Sequence, residues 1–122
     1  MPVGRYVRMY DKWIDTQDEE ERQQLGRYLK ENLRSAWETG DAATRESIID
    51  YIRLTKEGDW DILIGALKDD DDGVAKVAMG MIALLIWEGQ EFDVSVLRPA
   101  IESFEERHPD FESTCHSALA RL

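Results

Sequence analysis

Apolar side chains recur at spacings of three and four residues along nearly the whole chain, and no segment alternates apolar and polar positions as a half-buried strand would. The pattern therefore predicts an all-α fold of about seven helices. Glycine and proline are expected at the helix ends, and capping side chains at the helix starts. The predicted helices run from Val3 to Ile14, from a cap at Thr16 to Gly40, from a cap at Asp41 to Thr55, from Trp60 to Lys68, from Gly73 to Glu88, from Asp93 or Ser95 to the break at His108, and across Phe111 to Leu122.

Two glycine–aspartate pairs mark connections in the first half of the chain. Gly40 is expected to take the left-handed conformation that ends a helix, and Asp41 to cap the next one, and Gly58 with Asp59 repeats this pairing. The short connections allow helices 2 and 3, 4 and 5, and 6 and 7 to form antiparallel hairpins with a period of about 33 residues. Such a repeat predicts an α/α superhelix, with a closed helical bundle as the alternative.

The hairpin of helices 4 and 5 carries a family pattern within residues 59–88. The matching residues are Leu67, Lys68, Asp69, Asp71, Val74, Ala78, Ile82 and Leu85. They resemble the HEAT repeat, in which the first helix ends at Leu-x-Asp and a valine and an alanine open the second. The basic residue that the family places after its valine is replaced by Ala75, and Lys76 follows one position later. The resemblance implies that the predicted superhelix is HEAT-like.

Length and composition suit a single domain spanning residues 1–122, since 43 % of its residues are hydrophobic and can form one core. The longest apolar run, residues 77–87, is well short of the roughly 20 residues that a membrane-spanning helix needs. The first residues carry charges within their apolar stretch, unlike a signal peptide, and a single cysteine, Cys115, is compatible with a reducing compartment. We expect a cytoplasmic protein without a membrane role, and a monomer rather than a homo-oligomer.

The formal net charge of −11 is unevenly distributed. Residues 1–58 hold 12 acidic and 10 basic side chains, whereas residues 59–122 hold 14 acidic and 5 basic ones. Such a field repels nucleic acid and anionic lipid, because binding phosphate requires clustered lysine and arginine. The charge favours a basic protein as partner, with the alternative that it only keeps a small domain in solution.

Four consecutive aspartates, Asp69, Asp70, Asp71 and Asp72, precede Gly73. A calcium-binding loop in this register would need an aspartate and a glutamate where the chain has Lys68 and Met79, so the register excludes that motif. One aspartate is enough to cap a helix, and adjacent carboxylates repel one another. The run is therefore predicted to present negative charge to a partner, with a capped turn as the alternative.

Candidate chemistry beyond binding is sparse. Cys115 and His116 are neighbours on a helix, where side chains diverge by about 100°, and no CxxC or HxxxH spacing accompanies them or His108. Cys115 falls on the apolar stripe of its helix and is predicted to be a core residue. With two histidines and no glycine-rich phosphate loop, we expect no enzymatic activity, no metal and no cofactor.

The predicted binding surface follows from stacking the hairpins in order. One edge would gather Glu38, Asp41, Asp69 to Asp72, Asp110 and Glu112, and the opposite edge Glu57, Asp59, Asp61, Glu88, Glu91 and Asp93. Trp60 and Trp87 lie at helix ends near acidic turns, and aromatic side chains often anchor interfaces. The partner-binding residues predicted with most weight are Asp69, Asp70, Asp71, Asp72, Trp60, Asp110 and Glu112.

The functional hypothesis combines small size, acidity, a helical frame and no catalytic set. In type, though not by motif, the chain resembles bacterial immunity proteins, including those of contact-dependent growth inhibition systems. This resemblance implies an inhibitor that covers the active-site cleft of a toxin nuclease. The alternatives are a phage-encoded nucleic-acid mimic that blocks a host defence complex and a HEAT-like scaffold subunit.

Overall fold

The computed structural model describes residues 4–56 and 59–122, and every regular element in them is helical. The all-α prediction is confirmed. The described residues form α1 Arg5–Asp15, α2 Glu19–Glu31, α3 Leu33–Thr39, α4 Ala42–Thr55, α5 Trp60–Gly65, α6 Asp72–Trp87, α7 Val94–Arg107 and α8 Glu112–Ala120, with 3-10 turns at Ala66–Lys68 and Pro109–Phe111. None of these helices combines the length and apolar character that crossing a membrane requires.

The chain divides into two compact units, residues 1–51 (unit 1) and residues 52–122 (unit 2), and the division falls within α4. The eight helices of residues 4–56 and 59–122 are compatible with a helical-repeat fold. A single domain, and a superhelix as opposed to a closed bundle, both stay predictions. Val3, Glu57 and Gly58, which entered the predictions above, lie outside the described residues.

Unit 1 has one more helix break than its sequence pattern suggested. The predicted second helix, continuous to Gly40, is wrong, because α2 ends at Glu31 and α3 begins at Leu33. Asn32 separates them with φ −101° and ψ 4°, and its side-chain amide donates to the Tyr28 carbonyl at 2.9 Å. An asparagine that bonds the preceding turn competes with continued helical bonding, which the apolar spacing does not reveal.

The capping prediction at Thr16 is also wrong. Asp18 caps α2, since its carboxylate accepts from the N–H groups of Glu20 at 3.0 Å and Glu21 at 3.3 Å. The hydroxyl of Thr16 instead accepts from the Asp18 N–H at 3.2 Å. The start of the helix therefore lies two residues further along the chain than a threonine cap would place it.

Gly40 is extended, with φ −80° and ψ 157°, so the predicted left-handed conformation is wrong. Glycine is needed there for space, because a Cβ atom would lie 2.4 Å from the Ala36 carbonyl oxygen and 2.7 Å from Cβ of Thr44. The predicted cap at Asp41 is confirmed, since one carboxylate oxygen accepts from both the N–H and the hydroxyl of Thr44 at 2.9 Å. The left-handed residue that follows α4 is Lys56, with φ +54°.

Unit 2 is built around the apolar helix α6, which packs against α5, the Ala66–Lys68 turn and α8. Its fully buried side chains include those of Val74, Met79, Ile82 and Leu85. The helix is not covered on every side, however, because Leu84 and Trp87 are exposed. The contacts of α5 with α6 and of α7 with α8 pair the helices that the sequence predicted as hairpins.

Candidate functional site

The aspartate run of unit 2 forms a tight turn between the Ala66–Lys68 segment and α6. The Asp69 carboxylate accepts from the Asp71 N–H at 2.9 Å, and the Asp71 carboxylate accepts from the Val74 N–H at 3.0 Å. Asp71 is therefore the cap of α6. Two of the four aspartates thus accept hydrogen bonds from backbone N–H groups. Within the described residues, the side chains of Asp70 and Asp72 accept no hydrogen bond of this kind.

A second acidic turn lies beside the first, at the connection between α7 and α8. Arg107, the last residue of α7, donates from its guanidinium to the carbonyl of Leu67. Nζ of Lys76 lies 3.3 Å from Oδ2 of Asp110, which joins α6 to the second turn. These contacts bring the predicted residue Asp110 to the same part of unit 2 as the aspartate run, and Glu112 follows it in the chain as the first residue of α8. We call Asp69, Asp70, Asp71, Asp72, Asp110 and Glu112 the acidic patch.

The patch keeps an excess of negative charge at its surface. The side chains of Asp72, Asp110 and Glu112 are 77 %, 60 % and 64 % exposed. Lys76 partly compensates Asp110, and Asp69 is half-buried within its turn. The capped turn that the sequence posed as one alternative for the four aspartates is therefore present, and the presentation of their charge to a partner stays a prediction.

His108 lies beneath the acidic patch and is 6 % exposed. Its ring packs against Phe104 with centroids 4.5 Å apart, and its Nε2 lies 3.8 Å from Oδ1 of Asp72. Within residues 4–56 and 59–122, Nε2 has no hydrogen-bond partner. The sequence showed only that this histidine lies at a break between helices. Its burial was not predicted, because a turn position before a proline does not indicate burial.

Trp60 does not join the acidic patch. It begins α5, where its ring packs edge-on against Phe92 with centroids 5.4 Å apart. The aspartate run follows the other end of that segment, about 15 Å away by helical rise. Within unit 2 the structure therefore separates this predicted anchor from the carboxylates that it was expected to accompany.

Trp87 is the more accessible tryptophan of unit 2, with 65 % of its surface exposed. The guanidinium of Arg121 lies 3.9 Å from the centre of its ring. Both residues line a groove of about 340 Å³ between α6 and α8, together with Leu84, Ser117 and Ala118. Because α6 is apolar on nearly every side, its sequence pattern could not show which face is left open.

Two residues of the second predicted acidic edge make contacts within the fold of unit 2. Glu88 lies 3.6 Å from the side-chain nitrogens of both Arg53 and Lys56. The Asp93 carboxylate accepts from the N–H and the hydroxyl of Ser95, and so caps α7. Glu88 is therefore compensated by two basic side chains, which makes this edge a weaker candidate than the acidic patch for contact with a positively charged partner.

A further polar cluster, which the sequence analysis missed, lies between α7 and α8. One ligating atom from each of Glu105, Glu112 and His116 can be chosen so that all three lie within 4.8 Å of one another. The four-residue spacing of Glu112 and His116 was visible in the sequence, but the approach of Glu105 required the fold. Cys115 is fully buried as predicted, and burial raises the pKa of its thiol to about 11, with a smaller contribution from the negative charge of Glu105.

Comparison with known proteins adds no relative to this description. No protein family, no curated protein and no solved structure matches the chain.

Proposed function

We propose that this protein is a non-catalytic, cytoplasmic binding domain that inhibits a cationic protein. In its most concrete form it is a bacterial immunity protein, as in contact-dependent growth inhibition systems, and it covers the active-site cleft of a toxin nuclease. The observation that supports the proposal is the acidic patch, whose carboxylates are mostly exposed and whose two turns are connected through Lys76 and Arg107. A cleft that binds nucleic acid is lined by positive charge and is the natural complement of such a surface.

The backbone of the patch is held in place before any partner arrives. The Asp69 and Asp71 carboxylates are fixed by N–H bonds, and Arg107 ties the two turns together. Ordered carboxylates lose less conformational freedom on binding than mobile ones would. Their field also accelerates encounter with a basic protein, and this acceleration weakens as ionic strength rises. A HEAT-like stack of hairpins is part of the proposal, as the rigid frame behind the patch.

The scaffold alternative is favoured by a different observation, the groove beside Trp87. An exposed tryptophan and Leu84 next to a groove suit apolar contact with a larger assembly. In that case the binding free energy would depend on Trp87 and hardly on salt. A phage-encoded nucleic-acid mimic would share the salt dependence of an inhibitor, but it would bind a host defence complex.

The proposal is tested by capture of partners from a lysate of the native host with two charge-matched variants as bait. The first, D70N/D71N/D72N, neutralises three carboxylates of the patch while asparagine preserves the helix cap at position 71. The second, E19Q/E20Q/E21Q, removes the same charge from the first turn of α2 in unit 1. Retained proteins are identified by mass spectrometry at low and at high salt, and the affinity of any that are basic is then measured with purified protein.

We expect a basic protein that the unmodified chain and the α2 variant retain at low salt, and that the patch variant loses. A nuclease whose activity falls on binding would identify the inhibitor, and a host defence complex would identify the mimic. Retention of the same partner by the patch variant, or binding that does not respond to salt, would reject the patch as the interface. Loss of binding only on Trp87→Ala would establish the scaffold alternative.

A further inference from the structure

We propose that Glu105, Glu112 and His116 form a binding site for a divalent transition-metal ion of the zinc class at the contact between α7 and α8. This inference does not depend on the proposed function. It starts from geometry, since the three side chains come from two helices and their ligating atoms lie within 4.8 Å of one another. In a tetrahedral zinc site adjacent ligand atoms are about 3.3 Å apart, so side-chain rotation alone could close this cluster around an ion.

The positions of the three residues are fixed by the packing of their helices. Glu112 and His116 are one turn apart and lie on the same side of α8, because a four-residue spacing returns to nearly the same face. Cys115 and Ala118, on the other side of α8, are buried and anchor it. Glu105 faces this helix from α7, with 23 % of its side chain exposed and Oε1 2.7 Å from Nε2 of His116.

The charge of the cluster favours a cation. In the part of the chain that the structure describes, neither Glu105 nor Glu112 lies within ion-pair distance of a lysine or arginine. Two carboxylates beside one imidazole leave negative charge that a divalent ion would balance.

The donor set selects among cations. Magnesium and calcium prefer oxygen ligands alone, whereas imidazole together with carboxylates suits zinc, cobalt, nickel and related ions. Three protein ligands leave at least one coordination position for water, as in open zinc sites. The competing arrangement is a protonated His116 that donates to one or both carboxylates, and it needs no metal.

The test is a titration of the full, untagged chain with ZnCl2 at neutral pH, followed by calorimetry and by NMR of the imidazole nitrogens. We expect one zinc ion per chain, a change in the His116 ring signals, and unchanged signals for the buried His108. His116→Ala and Glu105→Gln should each weaken binding by about tenfold or more, the lower end of what even outer-shell substitutions cause. Circular dichroism of each variant checks that a loss of binding does not result from a loss of folding. His116→Gln serves as a second, milder variant.

Glu102→Gln and Glu106→Gln are the matched controls, because they remove exposed carboxylates from the same helix without touching the cluster. Both should leave the zinc affinity within about twofold of the unmodified chain, well inside the tenfold loss expected for a ligand. Displacement of zinc by a large excess of Mg²⁺ or Ca²⁺ would mean that the carboxylates bind without the imidazole. That result, absence of saturable binding, or unchanged binding in His116→Ala would overturn the proposal.

Discussion

The two compact units differ in the types of side chain that they bury. Three of the buried hydrophobic side chains of unit 1 are tyrosines, whereas unit 2 contains no tyrosine and buries mainly aliphatic residues. The hydroxyl of Tyr6 donates to the Leu29 carbonyl at 2.8 Å, that of Tyr51 donates to the Gly26 carbonyl at 3.2 Å, and that of Tyr10 donates to the Asp50 carboxylate. Unit 1 is therefore held by directional hydrogen bonds between helices as well as by apolar contact.

The units also differ in how one carboxylate is used. In unit 1, the Asp50 carboxylate is used inside the fold by Tyr10, and Arg45 donates to the Trp37 carbonyl at 3.0 Å. In unit 2, Asp72, Asp110 and Glu112 are exposed at or next to the turns.

The largest expected contrast comes from matched glycine substitutions in the two units. Gly40→Ala in unit 1 forces a Cβ atom against backbone and a buried threonine, and should lower the free energy of unfolding by about 1 to 3 kcal/mol. Gly80→Ala, within α6 of unit 2, meets no atom within 4 Å and should raise it by about 0.5 to 1 kcal/mol. Urea denaturation measures both, and equal effects would contradict the close approach at Gly40.

Alkaline pH should distinguish the units through one buried group in each. Burial, with a hydrogen bond to Asp50, raises the pKa of Tyr10 well above its ordinary value of 10.0, and burial raises the pKa of Cys115 from 9.0 to about 11. A group whose folded pKa is raised contributes its full stability below its unfolded pKa and loses it as pH rises. Between about pH 9 and 11, the unmodified chain should lose about 1 to 3 kcal/mol through Cys115, and Cys115→Ala should remove that loss.

The same denaturation series includes Tyr10→Phe, which should flatten only the decline above about pH 10. Each variant is compared with the unmodified chain at neutral pH, where both groups are protonated and no titration contributes. A decline between pH 9 and 11 that persists unchanged in Cys115→Ala would show that the thiol is not the group responsible.

The smallest expected effects concern the caps, Asp41 in unit 1 and Asp71 in unit 2. Asp71→Ala should cost about 1 kcal/mol, whereas Asp71→Asn should stay within about 0.5 kcal/mol because it keeps the acceptor. Asp41→Ala should cost more than Asp71→Ala, since it also strands the hydroxyl of the buried Thr44. Chemical denaturation at pH 7 ranks the three variants, and equal losses for Asp71→Ala and Asp71→Asn would mean that charge, not capping, is what matters there.

The Asp41 cap also predicts an acid response that is particular to unit 1. Hydrogen bonds from the N–H and, to a smaller extent, from the hydroxyl of Thr44 lower the pKa of Asp41 below its ordinary value of 3.8. A lowered folded pKa gives stability that is present above the unfolded value and is lost as pH falls through the folded one. Asp41→Asn should therefore reduce the dependence of stability on pH below about pH 4.

Apolar spacing was sufficient to predict the helices of unit 2, because α6 and its neighbours are separated by glycine, aspartate and proline. It failed at Asn32, where a side-chain hydrogen bond ends α2 without any interruption of the apolar stripe. It also misassigned Gly40, since a helix-ending glycine that is needed for space looks the same in sequence as one needed for its left-handed conformation. Such choices depend on contacts with atoms several residues away.

The candidate site was predictable to the extent that it is local in sequence. The four aspartates form one run, and the sequence suggested both their cap and their charge. The approach of Asp110 and the burial of His108 depend on how α7 lies against the aspartate turn, and neither has a signal in the sequence. The same holds for Glu105 and His116, which are eleven positions apart and meet only through the contact of α7 with α8.

Because Cys115 is buried, the rate at which it reacts with a thiol reagent can report on opening motions of unit 2. It is the only thiol of the chain, and a thiol-specific reagent can modify it only when the surrounding helices separate. Its labelling rate therefore measures how often unit 2 opens, with no signal from unit 1. Slower labelling in the presence of a binding partner would mean that unit 2 opens less often around Cys115. This would hold even if the partner contacts a surface away from α8.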